Sequence, residues 1–387
     1  MIALLFSSVS LLLGAIYFNT VWLLLQGIIT FVVFFQNIPM AYLVLPRPSI
    51  LVIAIYFSCV ALFVLWRHGR MRKFLIFFIL MLLNVRVWST LSIDNGLKIT
   101  FFDVGQGDAV LFEFPNGKTM LVDAGDRNDY FDCGESIIYP YLVRYGIRKI
   151  DVFLLSHAHN DHIGGALTLL EKKYFKKIVK THVQQNSRMD VMLEEMARRF
   201  DVPVHYVQVG DTLCIDPEVL LLVLHPTPGF IKNAAINSTG LNDASIVFKC
   251  IYHNHAILMT GDAEIPSEQS MLRYDALLSS SLTKLAHHGS HTAGSPSFRR
   301  AVGADVGIVS VAAFNRFGLP SKYLLQSYEK EGTDIFVTSE HGAVQFLIKP
   351  DSYKRIVKKK WLLNCKIKKN LFQEIIFSIL KKKRYCE

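Results

Sequence analysis

The six residues HAHNDH, from His157 to His162, contain three histidines and one aspartate. The preceding segment, Ile150 to Leu155, is apolar and predicts a buried strand, so the polar residues lie where that strand ends. Four metal-ligating side chains so close together on a loop are atypical of a hydrophobic core. Histidines two positions apart in a tight turn converge on one cation, and Asp161 with His162 can reach a second. The stretch therefore predicts a metal-binding loop.

Two further polar clusters follow predicted strands. Thr260-Gly261-Asp262 comes after the strand His255 to Met259, and an aspartate held by a glycine turn at a strand end is suited to bridge two cations. Farther along, AHHGS (Ala286 to Ser290) ends another predicted strand. Each cluster alone is a common pattern, because paired histidines are often structural. Together with the first loop they predict a site for two metal ions.

The amino-terminal part of the chain differs in composition from the rest. Of the 387 residues, 51% are apolar, and long apolar blocks run from residue 1 to about residue 88. A bilayer core requires about 20 apolar residues in a helix. Ile50 to Trp66 fits one span, and Phe74 to Trp88 fits another if it is short or tilted. The first 35 residues fit either one span plus an interfacial helix or two short spans.

The short basic loop RHGRMRK, Arg67 to Lys73, determines the expected orientation in the membrane. Basic loops favour the cytoplasmic side. If Phe74 to Trp88 then crosses the cell (inner) membrane, the globular region that follows lies on the extracytoplasmic side. If that segment lies on the membrane surface, with Arg86 near its end, the globular region stays inside. We expect the first arrangement.

Most of the net charge of +10 lies at the carboxy-terminal end. Residues 351–387 contain twelve Lys or Arg and three Asp or Glu, a net charge of +9. Such a tail either binds nucleic acid or anionic lipid or is a solvated end of the chain. A helix expected at Leu371 to Leu380 would lie on a lipid surface or pack on the domain. The six cysteines form no CxxC pair and indicate neither a zinc knuckle nor a disulfide framework.

The globular region predicts more strands than helices. The predicted strands are Leu97–Val104, Ala109–Phe114, Thr119–Val122, Lys149–Leu155, Val219–Leu224, Ser245–Tyr252, His255–Thr260, Leu282–Ala286, Val306–Val311 and Asp334–Thr338. Helices are predicted at Ser136–Tyr145, Gly165–Lys172 and Met189–Phe200. Two sheets with helices outside are the natural packing for this order. The expected division is a membrane region at 1–92 with about three transmembrane helices, a globular domain at 93–350 and a basic tail at 351–387.

Several segments of the globular region resemble the metallo-β-lactamase domain of the ComEC family, the bacterial competence proteins that internalise DNA. The matching segments are FFDVGQGDAVLF (Phe101–Phe112), LVDAG (Leu121–Gly125), SHAHNDHIGG (Ser156–Gly165), NDASIVFK (Asn242–Lys249), LMTGDAE (Leu258–Glu264) and LAHHGSHT (Leu285–Thr292). DVGQGDA together with HHGS is specific to this branch of the superfamily. The resemblance implies an α/β fold, the αββα metallo-β-lactamase sandwich, preceded by transmembrane helices, and the chain resembles the carboxy-terminal half of a full-length member.

The resemblance also implies an activity, that of a metal-dependent nuclease that degrades DNA during DNA uptake. It implies two divalent metal ions, zinc or manganese, and DNA and membrane lipid as partners. A separate channel subunit that supplies the missing transmembrane helices is a further expected partner. The implied metal ligands are His157, His159, Asp161, His162, His225, Asp262 and His288. Asp161 and Asp262 are the expected catalytic residues, and Asp123, His287 and Ser290 have expected supporting roles.

Within that set, the roles differ. His157 and His159 are expected to bind the first metal, and Asp161 and His162 the second. Asp262 is expected to bridge them. His225 is either the third histidine of the first metal or a loop histidine before a proline. At the second metal, His288 is preferred to His287 as a further ligand. Asp123 is expected to support the metal loop without binding metal.

Substrate contacts and one departure from the family pattern complete the expectations. Asp161 could orient the attacking water or accept its proton. Candidate phosphate contacts are Lys284, Ser290 and Asn315, although Lys284 is as well explained as a solvated strand residue. The family usually carries a histidine before the proline at 320, where this chain has Leu319. If that histidine binds metal or phosphate, the activity of this chain is impaired.

Two alternatives to the nuclease remain open. The domain is a catalytically degenerate, membrane-tethered DNA-binding or docking module of a split channel, or it hydrolyses a small ester, lactone or β-lactam with the same metal chemistry. We expect DNA as the substrate because DVGQGDA and HHGS are not lactamase features. Phe298, Phe314 and Phe317 are aromatic side chains suited to stacking on bases, but core positions are the preferred interpretation for all three.

Overall fold

The apolar amino-terminal segments form three helices. A computed structural model of the chain describes residues 10–36, 48–91, 96–183, 187–236, 240–350 and 352–357, which fall into two units, 1–47 and 48–387. In the first unit, helix α1 (Leu11–Gln36) is continuous through the polar pair at 19–20, because the Thr20 hydroxyl donates to the carbonyl of Ile16 at 2.8 Å. Among the described residues, Gly14–Phe35 is the one segment long and apolar enough to cross a membrane, judged by length and composition.

The second unit begins with a pair of helices, α2 (Ile50–Val64) and α3 (Gly69–Leu91). Helix α2 is about 22 Å long at 1.5 Å per residue, which is shorter than the hydrocarbon core of about 30 Å. Helix α3 begins inside the basic segment that the sequence predicted as a loop, so Arg70, Arg72 and Lys73 lie in its first turns. The four-residue connection 65–68 is therefore all that separates the two helices.

Fifteen strands follow in the described part of the chain. They are β1 (Leu97–Phe101), β2 (Val110–Glu113), β3 (Thr119–Val122), β4 (Val152–Leu154), β5 (Ile178–Lys180), β6 (Val204–Tyr206), β7 (Thr212–Asp216), β8 (Val219–His225), β9 (Val247–Tyr252), β10 (His255–Met259), β11 (Leu282–Lys284), β12 (Val306–Val309), β13 (Asp334–Val337), β14 (Val344–Lys349) and β15 (Ser352–Val357). They form one sheet in the order β15-β14-β1-β2-β3-β4-β5-β6 and another in the order β13-β12-β11-β10-β9-β8-β7.

Each sheet has an antiparallel part and a parallel part. Strands β3 to β6 are parallel in the first sheet, and β10 to β13 are parallel in the second. The carboxyl ends of parallel strands lie at the same edge, which is where α/β proteins place their ligands. The loops after β4, β10 and β11 carry the polar clusters that the sequence singled out.

The helices of this unit cover the outer faces of the sheets. They are α4 (Tyr139–Arg144), α5 (Asn160–Glu171), α6 (Arg188–Arg199), α7 (Pro228–Ile236), α8 (Ile265–Met271), α9 (Pro296–Val302), α10 (Lys322–Lys330) and α11 (Thr338–His341), with short turns of 3₁₀ helix at Asn242–Ala244, Leu272–Leu277 and Ala286–Gly289 and of π helix at Gly134–Ile138. Leu167 of α5 belongs to the same buried cluster as Phe153 of the first sheet, and Phe298 of α9 belongs to the same buried cluster as Leu258 of the second.

The main core lies between the two sheets. Phe112 of β2 and Phe248 of β9 face each other across the interface, with ring centroids 6.1 Å apart, and both are fully buried. Each such side chain contributes roughly 1.5–3 kcal/mol by its removal from water. Helices outside two packed sheets confirm the predicted αββα arrangement.

Several elements differ from the sequence predictions. Helix α5 begins at Asn160, five residues before its predicted start, so Asp161 and His162 lie in its first turn. Strands β5, β6, β7, β14 and β15 and helices α7 to α11 were not predicted. Strand β15 pairs with β14, so the sheet continues into the predicted basic tail. The rest of that tail, residues 358–387 with the expected helix at 371–380, lies outside the described residues.

Candidate metal centre

Four buried side chains from four separate segments converge at the edge where the two sheets meet. Asp108 lies between β1 and β2, His162 in the first turn of α5, Asp262 after β10 and His288 after β11. One ligand atom of each lies within 4.8 Å of the others. These atoms are the oxygen and nitrogen donors that divalent transition metals accept in proteins.

The nitrogens that face Asp262 lack hydrogen bonds of good geometry. Oδ2 of Asp262 lies 3.3 Å from Nε2 of His162 and 3.4 Å from Nε2 of His288. Both Nε2 atoms are buried, and neither has a hydrogen-bond partner. Buried polar atoms almost always have a hydrogen-bond partner in the protein. Two imidazole nitrogens that lack one and lie next to a carboxylate are therefore suited to bind a cation. The residues present therefore suit a divalent metal.

Asp161 lies on the solvent side of this cluster. Its Oδ2 is 3.3 Å from Nε2 of His288 and 4.0 Å from Nε2 of His162. Its side chain is 30% exposed, against 3% for Asp262 and 2% for His288. Asp161 is thus a solvent-accessible carboxylate next to the buried cluster.

His157 and His159 form a second group beside Asp262. Nε2 of His157 is 3.0 Å from Nδ1 of His159 and 4.0 Å from Oδ2 of Asp262. Burial lowers the pKa of His157 well below its usual value, and it also lowers the pKa of His159. Both imidazoles are therefore neutral at pH 7, which is the form that binds metal. Asp262 borders both histidine groups.

Asp123 and Ser156 hold the metal loop in place. Oδ2 of Asp123 accepts from Nδ1 of His162 at 2.9 Å, which turns Nε2 of that ring toward Asp262. The two carboxylate oxygens of Asp123 also accept from the backbone N–H and the hydroxyl of Ser156 at 2.8 and 2.7 Å. A carboxylate on the distal nitrogen of a ligating histidine fixes the tautomer and orientation of the ring.

Lys284 is a buried cation within the cluster, and not a solvated residue. Its side chain is 1% exposed, and its Nζ lies 2.7 Å from Oδ2 of Asp108 and 3.8 Å from Oδ1 of Asp262. The ammonium also donates to the carbonyl of Gly261 at 2.9 Å. The ammonium of Lys284 thus contacts acidic side chains and a backbone carbonyl inside the protein. The two sequence interpretations of Lys284, as a phosphate contact and as a solvated strand residue, were therefore wrong.

His225 is placed away from this cluster. It is fully buried, its Nε2 donates to the carbonyl of Asp243 at 2.8 Å, and its Nδ1 lies 3.4 Å from the hydroxyl of Ser270. A nitrogen that donates to a carbonyl has no lone pair for a metal. The structure therefore supports the alternative of a structural histidine before Pro226 and not a third ligand of the first metal.

The remaining expected residues bond to groups outside the four clustered side chains. His287 pairs with Glu264 through Nδ1 at 2.9 Å, and the hydroxyls of Ser290 and Thr292 are hydrogen-bonded to each other at 3.0 Å. Asn315 bonds the carbonyls of its own loop, Ala312 at 3.1 Å and Leu319 at 2.7 Å. The prediction of Asn315 as a phosphate contact was wrong, because its amide is used within the loop.

Backbone conformation at the cluster is unusual. His287 and His288 have φ values of 48° and 53°, in the left-handed region that side chains other than glycine rarely adopt. Two such residues in succession, followed by Gly289, turn the chain so that only His288 of the pair reaches the cluster. Strained residues of this kind concentrate at functional sites.

The electrostatics of the cluster favour positive charge. Burial opposes the charged form of His288, but the nearby carboxylates of Asp262 and Asp161 outweigh burial and raise the pKa of His288 to about 10. Burial likewise opposes charge on His162, and Asp262 leads the carboxylates that raise its pKa well above the usual value. Conversely, His288 and His162 overcome burial and hold the pKa of Asp262 well below its usual range. The negative charge of the buried carboxylates is thus stabilised by positive charge nearby, from either protons on the histidines or metal ions.

Asp108 is the clustered residue that sequence reasoning missed. The segment DVGQGDA was identified as specific to one family branch, but no role was given to its second aspartate. The two glycines that precede this residue, at positions 105 and 107, were the available signal, because a glycine-rich turn brings backbone close to another chain segment. Indeed the backbone N–H of Asp108 donates to the carbonyl of Asp161 at 3.1 Å.

Comparison with known proteins agrees with this geometry. The model of the Metallo-beta-lactamase superfamily matches residues 102–230. ComE operon protein 3 of Bacillus subtilis is 26% identical over 264 residues, which cover 65% of this chain and 33% of that protein. Competence protein ComA of Neisseria gonorrhoeae is 25% identical over 264 residues, covering 65% of this chain and 32% of that protein. The chain spans about a third of the length of these relatives.

Among solved structures, Igni18, a metallo hydrolase from Ignicoccus hospitalis, superimposes with a TM-score of 0.45 at 16% identity, covering 65% of this chain and all of that one. The matches to competence proteins and to the superfamily model confirm the resemblance that the sequence motifs indicated. The fold is that of the metallo-β-lactamase superfamily.

Proposed function

We propose that this chain, a metallo-β-lactamase-type hydrolase similar to competence proteins, is a membrane-anchored nuclease that degrades DNA during DNA uptake. The similarity to a competence protein supports a role in DNA uptake. Helix α1, with one segment apolar enough to span a membrane, supports the anchor. The observation that carries the proposal is the buried group of Asp108, His162, Asp262 and His288 with its unpartnered nitrogens.

Two groups of side chains would hold two divalent ions, zinc or manganese. His157 and His159 form one group, and Asp161, His162 and His288 the other; Asp262 borders both. Such ions supply Lewis acidity for a phosphoryl oxygen and make water a nucleophile at neutral pH.

The chain's own residues then have distinct tasks. Asp123 orients the His162 ring, and Lys284 compensates the charge of the acidic side chains from within the protein. Asp161 is the most exposed carboxylate of the cluster, so it is the group that orients the attacking water and accepts its proton. No protein nucleophile is required. His287, Ser290 and Thr292, which lie in the segment that carries His288, would supply polar contacts for the substrate.

The test compares the purified full chain with two variants, each loaded with manganese or zinc. Asp262→Asn removes the shared carboxylate, whereas Asp305→Asn changes an exposed aspartate just before β12, at the end of that strand away from the cluster. Expected results are close to two ions per chain and cleavage of single-stranded DNA for the wild type and Asp305→Asn. Asp262→Asn should bind fewer ions and cleave at least tenfold more slowly.

The proposal fails if the loaded wild type cleaves no DNA and Asp262→Asn changes neither property. The second candidate function, a catalytically degenerate docking module for a separate channel subunit, is favoured by Leu319. That side chain packs against a buried cluster that includes Leu285 and Leu324, at the position where the family usually has a histidine. Far fewer than two bound ions, with DNA binding retained, would support this alternative.

A further inference from the structure

A loop beside the metal cluster exposes two phenylalanines. It spans residues 311–320, between β12 and α10, and is called the aromatic loop below. The residues at its two ends form hydrogen bonds with His288 of the cluster and with the adjacent Gly289. The Ser310 carbonyl accepts from Nδ1 of His288 at 2.9 Å, and the backbone N–H of Ser321 donates to the carbonyl of Gly289 at 2.8 Å. The aromatic loop therefore starts and ends next to a candidate metal ligand.

The side chain of Asn315 organises the interior of the aromatic loop. Its amide nitrogen donates to the carbonyls of Ala312 and Leu319, and its oxygen accepts from the backbone N–H groups of Phe317 and Leu319 at 3.2 and 3.0 Å. Four hydrogen bonds from one side chain fix the path of the chain. The residues that flank Asn315 consequently face solvent in a defined arrangement.

Phe314 is 98% exposed and Phe317 is 59% exposed. The expectation that they are core residues was wrong for both, although it holds for Phe298, which is 3% exposed. Exposed aromatic side chains grouped beside a functional site mark an interaction surface. Arg316 lies between them in sequence, and its guanidinium is 5.0 Å from the centre of the Phe317 ring. Lys322 follows, also exposed.

We propose that Phe314 and Phe317 form a platform on which bases of a single-stranded nucleic acid stack while its backbone enters the metal cluster. The inference rests on the proposed function, because it takes DNA as the substrate. Aromatic faces bind every base, and cationic side chains between them contact phosphates, which is how proteins hold single strands without sequence preference. Arg316 and Lys322 supply that charge.

The length of the loop is consistent with this arrangement. A chain segment spans at most about 3.6 Å per residue, so the Cα atoms of Phe314 and Phe317 lie within about 14 Å of Ser310 and Ser321 respectively. A few nucleotides therefore bridge the platform and the cluster. A lipid surface also accepts exposed aromatic and basic side chains, but attachment of both loop ends to residues 288–289 favours an occupant that also enters the cluster.

The test measures binding of a fluorescent thymidine oligonucleotide of about 12 nucleotides to the purified full chain by anisotropy. Stacking contributes about 1–3 kcal/mol per base, so the double variant Phe314→Ala/Phe317→Ala should bind at least tenfold more weakly. Phe314→Trp/Phe317→Trp should restore the affinity. An abasic oligonucleotide of equal length should bind the wild type and the alanine variant alike, because it has no base to stack.

Tyr145→Ala is the matched control. Tyr145 is 42% exposed and lies beside Lys98 at the start of β1, whereas Asp108 follows the end of that strand. Its removal should leave oligonucleotide affinity unchanged. Hydrolysis of bis(p-nitrophenyl) phosphate, a diester without a base, should also be unchanged in the double alanine variant, which checks that the cluster is intact.

The measurement of oligonucleotide binding tests the aromatic platform independently of the proposed nuclease activity. Base-dependent binding that is lost in the alanine variant supports the platform even if the chain cleaves no DNA. Equal binding of abasic and normal oligonucleotides by the wild type would overturn it. Unchanged oligonucleotide affinity with weakened binding to phosphatidylglycerol vesicles would also overturn it, and would assign the aromatic loop to the membrane surface.

Discussion

At the scale of single residues, burial determines which partners the polar side chains in and around the cluster have. The HAHNDH stretch and Asp262 come together as their spacing indicated, because each follows a buried strand whose carboxyl end lies at one edge of the fold. Lys284 was misread and His225 was left between two interpretations, since nothing in the sequence tells which way a strand residue points or which carbonyl accepts a hydrogen bond from a ring nitrogen. Burial gives both residues roles that composition does not reveal.

Lys284→Met is expected to destabilise the metal-free chain strongly and to increase its response to metal. Removing one partner of a buried ion pair costs about 3–5 kcal/mol, because the remaining charges are uncompensated. A divalent ion would compensate Asp108 and Asp262 in place of the ammonium. Saturating zinc should therefore raise the midpoint of thermal unfolding more in this variant than in the wild type.

Lys180→Met provides the comparison. Lys180 is 4% exposed and pairs with Glu194 at 2.9 Å and with Asp190, so it is a buried lysine of similar kind in a different ion-pair group. Its loss should lower stability without enlarging the shift caused by zinc. Equal zinc shifts in both lysine variants and the wild type would show that Lys284 does not compensate the cluster.

His225 makes stability depend on pH. Burial lowers its pKa to about 4, against about 6.5 in the unfolded chain. Between these values the unfolded chain binds a proton that the folded chain does not, so this contribution to stability is present above about pH 6.5 and is lost as pH falls toward 4. The change between pH 7 and pH 5 is about 2 kcal/mol.

His225→Gln keeps a donor for the Asp243 carbonyl and removes the titration. Free energies of unfolding from urea titrations with pulse proteolysis at pH 7 and pH 5 should fall less for this variant than for the wild type, by about 2 kcal/mol. An identical pH dependence in the two proteins would mean that His225 titrates normally when folded.

At the scale of elements, the sequence predicted the strands that border the cluster and missed five strands that lie at or next to sheet edges, β5, β6, β7, β14 and β15. Strands β3, β4, β9 and β10 are largely buried apolar runs, whereas β6 is partly exposed. Helix α5 was placed too late because Gly164 and Gly165 disfavour a helix interior. Both glycines are used for close packing: a Cβ at Gly165 would overlap the carbonyl of Ala124.

Gly107→Ala tests whether close approach of two loops assembles the cluster. Gly107 has a φ of 119°, and a Cβ there would overlap the carbonyl oxygen of Asp161. The substitution should push the Asp108 loop away from α5, cost more than about 2 kcal/mol and lower zinc affinity at least tenfold. Metal content after dialysis against graded chelator measures the affinity.

Gly105→Ala is the control in the same loop. Its φ is 79°, so alanine is strained there too, but no atom lies within 4 Å of the new Cβ. We expect a cost of about 1–2 kcal/mol from the backbone and little change in zinc affinity. Equal zinc affinity in the two variants would show that the contact between the loops does not position Asp108.

At the scale of the whole molecule, the proposed activity makes a prediction about the side of the membrane on which the hydrolase domain lies. The basic segment 67–73 lies partly in the connection between α2 and α3 and partly in the first turns of α3, and a cytoplasmic location for it directs the chain to the other side if α3 crosses the membrane. Degradation of incoming DNA requires the cluster to face the compartment from which DNA arrives. The expected location is therefore extracytoplasmic.

Cysteine labelling decides between the two sides. Cys214 is exposed on β7, while Cys133 and Cys250 are buried, so a variant that keeps Cys214 as its single cysteine reports the position of the domain. A membrane-impermeant maleimide should label it in intact spheroplasts. A cysteine-free chain carrying His68→Cys, in the basic connection, should be labelled only after permeabilisation. The reverse pattern would place the domain in the cytoplasm, where it would meet DNA only after transport.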